Sequence, residues 1–249
     1  KLVEKSVFTP YPTPEVRDDQ GHRSRRVETL LGNNSDKLSY IQIGLRMAYH
    51  DILDTSAGYL SGATLEMFHT KLRHTFINNK DQTRLQELKL IDIASFSPGN
   101  DFISPTSWRI STGFRRPKST PDELTSYFSG GIGLSRQFNN QQFYALLDAE
   151  LDADNDIEQG YRLASGPHIG WLNQSRDWSL SLDYIHAFDL SGAVFAERKV
   201  ELGIARSLNI DWQLRFKSTY AEYKEASSST KNRGNIYEHT STVSLIFYF

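Results

Sequence analysis

Tyr237-Glu238-His239-Thr240-Ser241-Thr242-Val243-Ser244-Leu245-Ile246-Phe247-Tyr248-Phe249 closes the chain, and its reading decides the fold. Tyr237, His239, Ser241, Val243, Leu245, Phe247 and Phe249 share one parity, which is mostly apolar, while Glu238, Thr240, Thr242, Ser244, Ile246 and Tyr248 share the other. A period of two sustained over such a stretch is a β-strand. Its length suits a tilted membrane crossing, which takes about 9 to 11 residues, and it also suits the edge strand of a soluble sandwich.

Composition narrows the choice. The chain has 249 residues, 38% of them hydrophobic and 12% aromatic, which allows one large all-β domain and argues against disorder. No apolar run approaches the ~20 residues a membrane helix needs, and mean hydropathy is -0.51, so a helical membrane protein is excluded. A transmembrane barrel is not excluded, because its inward half is polar. A net charge of -2 and a pI near 6.4 argue against a nucleic-acid partner. Cysteine is absent, which removes disulfides, thiolate metal sites and cysteine catalysis from this chain. No signal peptide is visible at Lys1, so the chain is expected to be processed or excised from something longer.

Residues 1–21 carry Pro10, Pro12 and Pro14 among charges and read as a Pro-rich linker, leaving residues 22–249 for the barrel. A weak polar strand candidate runs from His22 to Leu31. The next is clear, with Ile41, Ile43, Leu45, Met47 and Tyr49 opposite Gln42, Gly44, Arg46, Ala48 and His50. Strands over Ala63 to Phe76 and Thr83 to Phe96 both break phase, Leu65 and Met67 giving way to Leu72 and Phe76, and Leu88 and Leu90 to Ile91 and Ile93. Paired bulges are expected there. Seven further alternating segments precede the terminal strand, so the expectation is an all-β, antiparallel up-and-down barrel of about twelve strands.

In a barrel the apolar face meets lipid and the opposite face lines the lumen. The opposite face here carries Arg46, Arg109, Asp148, Glu150, Arg162, Asp183, Lys199, Glu201, Asp211 and Arg215, a set of mixed sign that suits mutual pairing across a lumen. Solvated sandwich faces could carry the same charges. The aromatics separate the two cases. With the C-terminus in the periplasm, alternate turns put Trp108, Trp171, Trp178, Trp212 and Phe249 at periplasmic strand ends on the apolar face, as an aromatic girdle. Phe114, Tyr161, Tyr184, Tyr220 and Tyr237 fall toward the other rim. A sandwich core has no reason to band its aromatics in this way.

Outer-membrane barrels usually keep periplasmic turns short. Phe138 to Gln141, Asn173 to Arg176 and Ser207 to Asn209 comply, whereas Asp51 to Gly62 and Ser97 to Thr106 are long. His50, Asp51, Asp54, Tyr59 and Phe102 are expected to build a platform on that side that orients an upstream domain; the alternative is that they cap the barrel floor. His50 with Asp51 and Asp54 could also ligate a metal, but carboxylates in a turn more often cap backbone amides, so no metal is expected.

The run Arg46-Met47-Ala48-Tyr49-His50-Asp51-Ile52-Leu53-Asp54, followed by Ala57-Gly58-Tyr59, Gly62-Ala63 and Leu65-Glu66, resembles a proteobacterial C-terminal barrel domain. Ser95-Phe96-Ser97-Pro98 and Ser107-Trp108-Arg109 do so too, and the likeness spans roughly Gly21 to Phe249. In that family the barrel follows an N-terminal periplasmic domain of the Lnb type, related to a lipoprotein intramolecular transacylase. The resemblance implies that catalytic cysteine and histidine belong to that upstream domain, so no catalytic residue and no cofactor are carried onto this chain.

The resemblance also implies a Gram-negative outer membrane, with its lipids and lipopolysaccharide as surroundings and the upstream domain as partner. The alternation ending on Phe249 resembles the signal read by the barrel assembly machinery. The first functional reading is therefore a membrane anchor or platform, and the second a narrow outer-membrane pore for small solutes. The third is an acyl hydrolase or transferase on the barrel wall. That would need a serine, a histidine and an orienting group, and His239-Thr240-Ser241, the nearest approach, reads as an ordinary polar rim.

Overall fold

The computed structural model describes residues 21–34, 39–55, 58–76, 81–99, 105–116, 124–155, 158–192, 197–224 and 235–249. They form twelve strands: β1 (Arg26–Asn34), β2 (Ser39–His50), β3 (Ala63–Thr75), β4 (Gln82–Ser95), β5 (Ser107–Arg115), β6 (Thr125–Phe138), β7 (Gln141–Ala153), β8 (Tyr161–Gln174), β9 (Trp178–Gly192), β10 (Glu197–Ser207), β11 (Trp212–Lys224) and β12 (Asn235–Tyr248). Each pairs antiparallel with its chain neighbours, and β1 pairs with β12, so the sheet closes into one barrel. Closure removes the edges that an open sheet would leave unpaired in lipid.

The parity read in the terminal strand is the parity observed. Thr242, Ser244, Ile246 and Tyr248 are buried, while Val243, Leu245 and Phe249 are exposed. The same alternation runs round the barrel and covers its outside with Ile43, Ile132, Leu147, Ile169 and Leu182. Exposed side chains of this kind have no place on a water-soluble surface of this extent; they form the lipid-facing wall of an outer-membrane barrel.

Both phase breaks have a structural cause. The β4–β5 register shifts between Lys89 and Ile91, which makes Leu90 the extra residue. In β3 the break falls at Phe68, whose φ is 51°, so that Phe68 turns outward beside Met67, and the β3–β4 register shifts again between Lys71 and Leu72.

The start of β1 and the end of β12 lie together, since Arg26 is in register with Tyr248. We call this the terminal end of the barrel. The connections there are residues 51–62, 96–106, 139–140, 175–177 and 208–211. Three are short and two long, as expected. Trp108, Trp171, Trp178, Trp212 and Phe249 ring this end on the outside, with Trp212 4.8 Å from Phe247 between ring centres. Two expectations need correction. The first strand starts at Arg26 rather than His22, because His22 turns inward ahead of it. Asp211 belongs to the turn before β11, where its carbonyl accepts from the Tyr248 amide, and so it is not a mid-strand lumen charge. Of the Pro-rich linker, residues 1–21, only Gly21 is among the described residues, and Phe102 also lies outside them.

Candidate functional site

The first long turn does not hang below the barrel; it folds back inside it. Asp51 Oδ1 accepts the amides of Leu53 and Asp54 at 2.8 and 3.2 Å, and Asp54 Oδ2 accepts that of Asp51 at 2.8 Å. These are the amide caps that carboxylates in a turn favour. The compact turn then reaches the far wall. The Ile52 carbonyl accepts from Gln174 on β8 at 2.8 Å, the Leu53 carbonyl from Gln213 on β11 at 2.9 Å, and the Asp54 carbonyl from Ser179 on β9 at 3.3 Å. Thr55 donates to the Arg176 carbonyl at 2.9 Å. Leu53 is 1% exposed. It occupies the space a side chain at Gly203 would need, since a Cβ there would lie 2.7 Å from Leu53 Cδ1.

Asp54 is the hub. Its Oδ1 accepts from Arg26 and Arg215 at 3.0 Å each and from the Tyr248 hydroxyl at 2.6 Å, and its Oδ2 accepts from Arg46 at 2.6 Å. Asp51 bridges Arg26 and Arg215 as well, at 2.5 and 2.7 Å. Glu66 on β3 completes the charge balance, lying 3.4 Å from Arg26, 3.5 Å from Arg46 and 3.0 Å from Lys89. Three guanidiniums thus face three carboxylates in a nearly closed space, the arrangement that makes buried ions tolerable.

The charges have a physical imprint. Burial works against ionisation of Asp54, but Arg46, Arg26 and Arg215 outweigh both burial and the like charge of Asp51, and hold its carboxyl far below the ordinary range. Asp51 is half-buried, and Arg215 and Arg26 hold it well below that range.

A histidine pair sits beside this hub. His22 Nδ1 bonds the Arg23 carbonyl at 2.8 Å, and its Nε2 lies 3.2 Å from His50 Nδ1. Both rings stack on Tyr59, with centres 4.5 Å away in each case, and the Tyr59 hydroxyl donates to the His22 carbonyl at 2.7 Å. Burial lowers the His22 pKa, which keeps the ring neutral at neutral pH, and burial also raises that of Tyr59. His50, Asp51, Asp54 and Tyr59 are thus brought together. The two long turns meet at their bases, where the Phe96 amide donates to the Gly62 carbonyl at 2.9 Å and Ile52 packs against the cluster of Ala94, Phe96, Tyr144 and Leu146.

Sequence reasoning missed His22, Arg26, Glu66, Gln213 and Tyr248. Inward parity was the available signal for Tyr248 and Arg26. Nothing local marks His22.

Above this floor the lumen holds a cavity of about 740 Å³ lined by charges of both signs. Arg162 lies 3.0 Å from Glu150 and 2.8 Å from Asp189, Arg109 lies 3.5 Å from Asp148, and Glu201 lies 3.5 Å from Lys217. His168 bridges Asp148 and Asp183 at 3.0 and 3.1 Å. Lys199 also lines the cavity. On the outer wall, His239 Nε2 contacts Ser218 Oγ at 2.9 Å and Ser241 Oγ at 3.4 Å, a small hydroxyl–imidazole patch at the far rim.

A family model described as a domain of unknown function, DUF7840, matches residues 15–237. No curated protein matches the chain. Among solved structures, the NanC porin aligns over 90% of this chain and all of its own, at 7% identity and a TM-score of 0.52. An anion-selective porin from Comamonas acidovorans aligns over 90% of this chain and 98% of its own at 9% identity and a TM-score of 0.43. The outer membrane phospholipase A of Escherichia coli aligns over 98% and 94% at 11% identity and 0.41. At such identities the likeness to the NanC porin concerns the barrel fold alone.

Proposed function

The chain belongs to the DUF7840 family, and from that premise we propose that it works as an outer-membrane platform: a barrel closed at its terminal end that anchors and orients a periplasmic domain lying upstream of Lys1. The observation that carries this reading is the turn Asp51 to Thr55 inside the lumen, bonded to β8, β9 and β11 on the opposite wall. A barrel built for free diffusion gains nothing from such a plug. A rigid floor next to the start of β1 and the end of β12 suits a docking role. His50, Asp51, Asp54 and Tyr59 stiffen that floor, and the segment through His22 is stacked directly on it. The resemblance noted in the sequence supports an Lnb-type identity for the upstream domain, with any acyl transfer performed there. In this reading lipids and lipopolysaccharide surround the wall, and the strand ending at Phe249 is what the assembly machinery reads.

A second reading, a narrow pore, is favoured by the lumen cavity of about 740 Å³. Its lining of paired opposite charges supplies no ring of one sign to select an ion. Planar-bilayer recording on the intact protein decides between the two. The platform reading expects little or no steady conductance, and a large, stable ohmic pore would replace it with the transport reading.

A further inference from the structure

His22 Nε2, His50 Nδ1 and Asp54 Oδ2 form a triangle with sides of 3.2, 3.8 and 3.9 Å. The circle through three points at those separations has a radius of about 2.1 Å, which is the bond length of a zinc ion to imidazole nitrogen or carboxylate oxygen. We propose that these three atoms form a binding site for a divalent transition-metal ion of the zinc class, one that ties the segment before β1 to the turn in the lumen.

Four further observations carry the assignment. All three residues are buried, at 3%, 3% and 0% exposure for His22, His50 and Asp54, so the donors are held in place rather than swinging in solvent. The His22 tautomer is set from behind: Nδ1 bonds the Arg23 carbonyl, which leaves the Nε2 lone pair facing the centre of the triangle. Backbone carbonyls play this part behind many metal-bound histidines. Asp54 Oδ2, the ligating oxygen itself, is held in place by Arg46 and by the Asp51 amide, and an ion would share it with them. Finally, the His50 ring lies against Tyr59, with centres 4.5 Å apart and planes within 5°, which fixes where its Nδ1 sits.

The three arginines nearby do not forbid a cation. Asp51, Asp54 and Glu66 balance Arg26, Arg46 and Arg215, and Lys89 is paired with Asp92 as well as Glu66, so the formal charges of the cluster sum to zero before an ion arrives. Two imidazoles and one carboxylate suit zinc and its neighbours, whereas calcium and magnesium take oxygen donors. Three protein donors leave the coordination sphere open, so the site would exchange its ion or accept a water or a further ligand.

The test uses the tag-free protein in detergent micelles, stripped with a chelator and titrated with Co²⁺. One Co²⁺ per chain with visible ligand-field absorption, displaced by one equivalent of Zn²⁺, is the expected result. His22→Ala, which lies outside the strands, should weaken binding by about tenfold or more, and His186→Ala on the outer wall should not. Absence of stoichiometric binding, or equal binding by His22→Ala, would overturn the site. A readout needing no variant is the Cu²⁺ electron paramagnetic resonance spectrum of the unaltered chain. Two coordinated imidazole nitrogens support the site, and one or none refutes it.

Discussion

Tyr248 donates its hydroxyl to Asp54 Oδ1 at 2.6 Å, joining the last strand to the turn between β2 and β3 through the inside of the barrel, 194 positions apart in sequence. Asp54 answers three guanidiniums there, so Asp54→Ala strands buried charge and should destabilise the barrel by about 3 to 5 kcal/mol. Tyr248→Phe removes one hydrogen bond to a charged acceptor and should cost about 1.5 to 3 kcal/mol. Urea unfolding midpoints of the folded barrel in micelles measure both, and a Tyr248→Phe loss as large as that of Asp54→Ala would contradict the hub.

The lipid-facing belt makes a graded prediction. Leu147 is 62% exposed at mid-strand, opposite Ile132, and Leu147→Arg should cost about 2 to 4 kcal/mol. Leu214 lies next to Trp212 in the outer ring at the terminal end, so Leu214→Arg should cost less, about 0 to 1 kcal/mol near an interface. Arg215→Leu, one residue on but inward, should cost about 3 to 5 kcal/mol because Asp51 and Asp54 lose a partner. Refolding equilibria in lipid vesicles would show this order, and equal costs for Leu147→Arg and Leu214→Arg would contradict the assigned depth.

Gly203 and Leu53 should be energetically coupled. A Cβ at Gly203 meets Leu53 Cδ1 at 2.7 Å and Ser181 Oγ at 2.8 Å, so Gly203→Ala overpacks the contact between plug and wall by about 1 to 3 kcal/mol. Shortening the plug with Leu53→Ala should relieve part of that penalty. A double-mutant cycle gives the coupling directly, and purely additive effects would mean the turn is not seated as described.

Replacing Thr55 to Ser61 by a short Asn-Gly turn in the full-length protein tests docking. On the platform reading, the barrel should still assemble and migrate faster on a gel unheated than boiled, while the proposed upstream domain loses its protection from protease. Unchanged protection and activity of that domain would refute the docking role of the floor.

Much of the barrel is written locally. Period-two alternation, the four tryptophans at one end and the phase breaks around Phe68 and Leu90 all follow from the pleat, in which each residue's face is set by its neighbours two positions away. The floor is different. Nothing within Asp51 to Asp54 tells a reader whether the turn points out or in, because the answer depends on cations and donors from Arg26, Gln213, Arg215 and Tyr248, two of them more than 160 positions away. Inward parity marked Arg215 as a lumen charge without revealing its partners. Asp211 misled for a related reason: its parity continues that of β11, but the Asn209 side chain accepts the Asp211 and Trp212 amides at 2.9 Å and makes a turn of it.

The seam between β1 and β12 has a consequence for how the barrel comes into being. Every other strand pair is a hairpin or a connection between chain neighbours and can form as soon as its own segment is available; the seam must bring Arg26 to Tyr248 from opposite ends of the chain. Closing so long a loop is the slowest kind of contact to make. Until it is made, β1 and β12 show open edges, and Asp51 and Asp54 await Arg215 and Tyr248, which β11 and β12 deliver. Seam closure and locking of the plug are therefore one event, and the transient species before it is the one most exposed to proteolysis and to pairing with the wrong chain.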